Sequence, residues 1–190
     1  MSLSICVYCS SSSAVDGAYR DAARELGRLI AARGHSLVYG GANVGLMGDL
    51  ARAVKDGGGR VLGVIPRRLV EFDLSFAEAD HLLVTETMGE RKALMIEHAD
   101  AYVALPGGFG TLEELLEVMT LKQLEYLRGA IVLLNTVRFY DPLLAHFERL
   151  YQERFARPEY RTLYHVAADA TDALDHIEGY AEGVLPRKWF

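Results

Sequence analysis

Cysteine, lysine and long apolar runs are all scarce in this chain, and each shortage removes a class of protein. Two cysteines among 190 residues cannot build a disulfide framework, and a four-cysteine zinc site is excluded. Their C-x-x-C spacing, Cys6 and Cys9, is the usual redox signal. It falls in a segment that reads as a strand, where side chains three apart point to opposite faces, so the two read as ordinary buried thiols. No apolar run approaches the roughly 18 residues of a membrane span, and the N-terminal residues lack the basic stretch of a secretory signal. The expected setting is the cytoplasm. Positive charge is not in surplus either: a net charge of -6 and a pI near 5.5 speak against a general nucleic-acid or membrane binder, while leaving room for a local anion pocket. The six histidines show no H-E-x-x-H or similar cluster, so no metal is expected.

What the chain does have is alternation. Residues 4–8, 36–39, 61–65, 81–85, 101–105, 131–134 and 164–167 read as strands. Amphipathic segments at 19–33, 44–55, 87–98 and 112–124 read as helices, and two more follow Asp141 and Thr171. The strand runs are apolar on both faces, as expected of a parallel sheet covered on both sides. The reading is α/β: a single doubly wound, Rossmann-like domain over residues 1–190, with about seven strands flanked by helices. Residues 67–80 are the least regular and read as a loop or short helix.

Ligands of such sheets bind beyond the carboxyl ends of the strands. Three segments leave strands at that edge with unusual composition: Cys9-Ser-Ser-Ser-Ser13, Gly40-Gly-Ala-Asn-Val-Gly-Leu-Met-Gly48 and Pro106-Gly-Gly-Phe-Gly-Thr111. In the third, Gly107, Gly108 and Gly110 let the backbone approach a ligand closely. Thr111 is placed to cap the following helix, with Glu114 at capping-box distance. Free amides and the helix dipole there suit a phosphate. Neither the dinucleotide fingerprint G-x-G-x-x-G nor the triphosphate loop G-x-x-x-x-G-K-[ST] occurs in these segments, so a mononucleotide is the economical ligand.

Thr87-Met-Gly-Glu90 has capping-box spacing and opens a helix carrying Arg91 and Lys92. That helix starts at the same sheet edge, where an arginine fork and a lysine can grip a phosphate. On the helix after the Pro106 turn, Leu112, Leu115, Leu116 and Met119 form the expected buried stripe, with Glu114 off it. A carboxylate beside a phosphate is repulsive unless it addresses another part of the ligand, so Glu114 reads either as a residue that addresses the sugar or as a helix-capping glutamate, and spacing alone does not choose.

Glu90-Arg-Lys92 followed by Pro106-Gly-Gly-Phe-Gly-Thr-Leu-Glu-Glu114 resembles the paired RK and PGGxGTxxE motifs of the LONELY GUY (LOG) family. These are cytokinin riboside 5'-monophosphate phosphoribohydrolases, often labelled lysine decarboxylase-like. The resemblance implies hydrolysis of the N-glycosidic bond of adenosine 5'-monophosphate or an N6-prenylated counterpart, with no cofactor. It implies Arg91 and Glu114 as catalytic residues and Lys92, Gly108, Gly110 and Thr111 around phosphate. Gly107, Met88 and Gly41 are grouped with them as substrate contacts, and Ser11 and Ser12 as base or ribose contacts. It further implies a homodimer with sites near the interface. The first loop departs from the family, reading Cys-Ser-Ser-Ser where many members have Cys-Gly-Ser-Ser. The chemistry fits these residues independently: cleavage at C1' builds oxocarbenium character that a carboxylate stabilises.

Two rivals follow from the same residues. One is a non-catalytic nucleotide sensor or carrier. The other is lysine decarboxylation, which needs a Schiff-base lysine on pyridoxal phosphate, yet Lys55, Lys92, Lys122 and Lys188 follow no recognisable cofactor motif.

Overall fold

A computed structural model describes residues 2–183; Lys188 and the rest of residues 184–190, including the tail for which the sequence suggests no element, lie outside the described residues. The seven short apolar runs become seven strands: β1 (Ser4–Tyr8), β2 (Ser36–Tyr39), β3 (Arg60–Pro66), β4 (His81–Thr85), β5 (Ala101–Ala104), β6 (Ile131–Leu134) and β7 (His165–Ala167). They form one sheet in the order β4-β3-β2-β1-β5-β6-β7, with every neighbouring pair parallel. The helices are α1 (Gly17–Ala32), α2 (Gly45–Asp56), α3 (Arg67–Val70), α4 (Met88–Glu97), α5 (Phe109–Gln123), α6 (Asp141–Gln152) and α7 (Ala170–Glu178).

Strand periodicity sorts the core into two layers. Ile5 and Val7 of β1 pack with Leu26 and Ile30 of α1, Leu50 and Val54 of α2 and Leu174 of α7. Their neighbours Cys6 and Tyr8 face the other side, with Met95 of α4, Leu115 and Val118 of α5 and Phe147 of α6. Cys6 and Cys9 accordingly lie in opposite layers, both buried and free, which removes the redox reading of their spacing. No helix of the described residues is long and apolar enough to cross a membrane.

The strand order fixes where a ligand can sit. The chain steps outward from β1 to β4, then returns to place β5 on the other side of β1. The loops after β1 and β5 therefore diverge, opening a crevice at the carboxyl edge. Residues 67–80 cross above the neighbouring β2 end: Ala42 pairs with Ser75, and the Asn43 amide donates to the Leu74 carbonyl at 2.8 Å.

Three helix details differ from the sequence reading. α5 starts earlier, with Gly108 as the residue before it, so Thr111 is buried inside the first turn and caps nothing. The buried side of α5 holds Thr111, Glu114, Leu115, Val118, Met119 and Lys122, while Leu116 is exposed. α5 carries apolar residues on two sides, so spacing alone cannot say which side meets the sheet. α7 is capped by Asp169, whose carboxylate accepts the Asp172 amide at 2.9 Å, and Thr171 lies within the helix; an aspartate with extended dihedrals supplies the stronger acceptor.

Candidate active site

The crevice holds a cavity of about 410 Å³ lined by the β1 loop, the Gly40 loop, the 67–80 crossing, and the first turns of α4 and α5. Its chemistry begins with how α4 is anchored. The Thr87 hydroxyl accepts the Glu90 amide at 3.1 Å, and the Glu90 carboxylate accepts the Thr87 and Glu86 amides at 3.3 and 2.9 Å. This capping box fixes the start of the helix, and Arg91 is the next residue inward.

Arg91 is 7% exposed and Glu114 is 8% exposed. Arg91 Nη1 donates to Glu114 Oε1 at 2.6 Å, and its Nε donates to the Val64 carbonyl of β3 at 3.1 Å. Nη2 has no acceptor among the described residues, and Arg91 lines the cavity. Burial raises the Glu114 carboxyl above the usual carboxylate range, an effect that Arg91 opposes. Burial likewise raises the Tyr8 phenol and the Cys9 thiol, which share the cavity wall, so neither is a ready nucleophile.

The two glycine-rich turns serve different purposes. At the start of α2 the Ser10 carbonyl accepts the Leu46 and Met47 amides at 3.0 and 3.4 Å, so that helix end is already occupied by protein. The loop needs glycine for packing: Gly45 has a φ of +57°, and a side chain there would overlap the Ser11 backbone. α5 is the opposite case. Gly108 makes no side-chain cap, and the amides of Phe109, Gly110 and Thr111 have no acceptor among the described residues. Open amides at the positive end of a 15-residue helix are an anion seat.

Of the residues singled out from sequence, Ser11, Ser12, Met88, Arg91, Gly108, Gly110, Thr111 and Glu114 all line this one cavity. Gly41, Lys92 and Gly107 do not. The Lys92 ammonium is instead held by Glu113 and by Glu117, the latter at 3.1 Å. Sequence reasoning missed Leu69 and Leu74, which bring an apolar wall, and Tyr8, Met47 and Met95. The irregularity of residues 67–80 was the only signal for the first two. Among the described residues no group of three or more His, Cys, Asp or Glu is placed to hold a metal ion. None of Lys55, Lys92 and Lys122 lines the cavity, where a Schiff-base lysine would have to stand.

The model of the family described as "Possible lysine decarboxylase" matches residues 47–177. A probable cytokinin riboside 5'-monophosphate phosphoribohydrolase of Oryza sativa subsp. japonica is 44% identical over 93% of this chain and 78% of its own length. A cytokinin riboside 5'-monophosphate phosphoribohydrolase of Arabidopsis thaliana is 41% identical over 93% of this chain and 82% of its own. Among solved structures, the molybdenum cofactor carrier protein of Chlamydomonas reinhardtii superposes with a TM-score of 0.73 at 26% identity, covering 94% of this chain and 97% of that one. A molybdenum cofactor binding protein of Rippkaea orientalis, at 22% identity and a TM-score of 0.72 over 94% of this chain and 96% of its own, shares the fold. With this degree of identity across most of its length, the chain belongs to the LONELY GUY family, within the wider group described as possible lysine decarboxylases.

Proposed function

We propose that this protein hydrolyses the N-glycosidic bond of a purine riboside 5'-monophosphate, adenosine 5'-monophosphate or an N6-prenylated counterpart, to give free base and ribose 5-phosphate. One observation carries the reading: a buried carboxylate, Glu114, stands in the same cavity as the open amides of the α5 terminus. The amides of Phe109, Gly110 and Thr111 take the 5'-phosphate, with the Thr111 hydroxyl beside it, while Ser11 and Ser12 line the same cavity for the sugar or base. Binding that group fixes the sugar, so remote binding energy positions the reacting carbon.

With the phosphate seated, Glu114 addresses the ribose. As the C1'–N bond breaks, its electron pair leaves with the base and the ring takes on oxocarbenium character, which the carboxylate stabilises. Water adds its oxygen to C1', and the proton it loses passes to Glu114 and on to the departing base. Arg91 favours the ionised form of Glu114 against the effect of burial and orients it through Nη1, and its open Nη2 is a further donor toward the substrate. Lysine decarboxylation is disfavoured by the absence of Lys55, Lys92 and Lys122 from the cavity wall.

The protein is further proposed to work as a homodimer. Phe109 is 91% exposed and Met88 is exposed, both lining the cavity, and Leu116 is exposed about two turns further along α5, apolar surface suited to a second copy. Two free, buried cysteines fit a reducing compartment, consistent with the cytoplasm.

Incubation with adenosine monophosphate and isopentenyladenosine monophosphate, followed by chromatography for free base, tests the activity. Nucleotide binding with no base released across a range of pH would make the protein a carrier instead.

A further inference from the structure

Asp49, on α2, is 5% exposed and is the one aspartate buried among the described residues. It lies behind the cavity wall and does not line it. A carboxylate taken out of water needs partners, and three arginines supply them. Arg20, near the start of α1, forks onto it, with Nε donating to Oδ2 at 2.6 Å and Nη2 to Oδ1 at 3.2 Å. Arg24, one turn further along α1, donates through Nη2 at 3.3 Å, and Arg52 Nη2 of α2 stands 3.6 Å from the same oxygen. Burial pushes the Asp49 carboxyl up, but the bonds from Arg20 and the charges of Arg24 and Arg20 outweigh it and hold the group below the usual carboxylate range.

Both helices joined here begin where a cavity loop ends. The stretch carrying Ser11 and Ser12 leads into α1, and the Gly40 loop leads into α2. Ahead of Ser11, the Ser10 carbonyl is fixed by the Leu46 and Met47 amides. Beyond Ser12, the Arg20–Asp49 fork ties the chain to α2 a second time. Arg52 extends the same support to the other loop, since its Nη1 donates to the Asn43 carbonyl at 3.2 Å. Apolar packing of Leu26 and Ile30 on Leu50 and Val54 holds the two helices together, but such packing is non-directional. A two-bond fork sets an angle as well as a distance.

From this geometry we infer that Asp49 is a positioning residue: acting through Arg20 and Arg52, it holds the Ser11–Ser12 stretch and the Asn43 loop in place against the sugar and base, without touching substrate. The inference rests on the hydrolase reading above for the identity of the substrate and goes beyond it by assigning a role to a carboxylate outside the cavity.

The test compares wild type with D49N, R20M and the R20M/D49L double variant by steady-state kinetics on adenosine monophosphate, calorimetric titration with the same nucleotide, and thermal unfolding. D49N and R20M should each raise KM and Kd roughly fivefold, the worth of one or two hydrogen bonds, with kcat within about twofold, because contacts made equally in ground and transition states move KM alone. Breaking a buried pair from one side also lowers Tm, whereas apolar replacement of both partners restores it. R20M/D49L should therefore recover Tm while KM and Kd stay raised. Should D49N fail to fold, R20M and the double variant decide on the same criteria. Unchanged Kd in D49N and R20M, a loss confined to kcat, or affinity that returns together with Tm in R20M/D49L overturns the positioning role and leaves the hydrolase reading intact. A wild-type protein that binds the nucleotide and releases no base overturns the hydrolase reading, and the Kd comparison still decides the role of Asp49.

Discussion

Gly40 and the Arg91 guanidinium are in direct apposition: a Cβ at position 40 would overlap Nη2. The glycine at the end of β2 thus makes room for a side chain arriving from α4, after β4. Arg91 can lie flat between the Val64 carbonyl and Glu114 only because nothing projects from Gly40.

It follows that Gly40→Ala should displace the guanidinium even though alanine is the smallest possible addition. Met47 Sδ, 2.9 Å from the same Cβ, belongs to a flexible side chain and can yield, but Arg91 is held by two partners. We expect a stability loss of about 1–3 kcal/mol, typical of overpacking, and a fall in kcat of at least tenfold from the misplaced pair. Denaturant unfolding and initial rates measure the two separately. Wild-type kinetics in this variant would show that the placement of Arg91 is unimportant.

Glu114→Gln keeps the shape of the site and removes its negative charge. Nucleotide affinity should survive, since the phosphate is held by amides, and turnover should drop by about 10² or more, the usual worth of a positioned acid–base group. Calorimetric titration with nucleotide alongside base release checks both halves. Near-normal turnover would remove Glu114 from the mechanism.

The same substitution reports on Glu114 through pH. Burial raises its carboxyl above the usual range in the folded protein, so on raising the pH the unfolded chain releases its proton first, from about 4.3. Between that value and the raised native one the folded state binds more protons, and stability falls as pH rises. The contribution is fully present below the unfolded value and lost as pH passes the native one. Wild-type protein should therefore lose Tm relative to Glu114→Gln across that window, with a flat difference on either side. A difference that grows in the opposite direction would mean that Arg91 outweighs burial.

The succession of strands and helices, the two-sided core and the convergence of Arg91 with the PGGxGT turn were legible in the sequence because each rests on local signals, whereas the order of the strands across the sheet was not. Apolar runs, glycine clusters and a capping box survive folding unchanged. The register of α5 was not legible: Leu112, Leu115, Leu116 and Met119 form an apolar stripe as good as the one actually buried, and only packing on the sheet chooses. The Ser10 carbonyl that occupies the α2 terminus was hidden for a different reason. It comes from a loop some 36 residues earlier in the chain, and nothing in the Gly40 to Gly48 spacing announces it. Leu69 and Leu74 were missed because irregular chain carries no period to read.

Those two leucines give the cavity an apolar side beneath the 67–80 crossing. Serine at both positions should lower kcat/KM for isopentenyladenosine monophosphate more than for adenosine monophosphate, by about tenfold, within the roughly 1–3 kcal/mol available to small apolar contacts. The ratio of the two specificity constants is the measurement. Equal losses on both substrates would place the crossing outside base recognition.

Arg91 and Glu114 form a buried pair, and the two ways of removing it should differ sharply in stability. Arg91→Ala strands a carboxylate in a wall that has no other cation within bonding distance of it, so the loss should be about 3–5 kcal/mol. Replacing both, Arg91→Met with Glu114→Met, leaves no charge to desolvate and fills much of the same volume, so the double variant should lie closer to wild type than Arg91→Ala does. A double-mutant cycle built from Arg91→Met, Glu114→Met and their combination in urea isolates the coupling. It also separates stability from chemistry, since the double variant should fold well and release no base. Single variants that each cost under about 0.5 kcal/mol, as surface changes do, would mean that the pair is solvated and that Glu114 lacks the dry setting the mechanism requires.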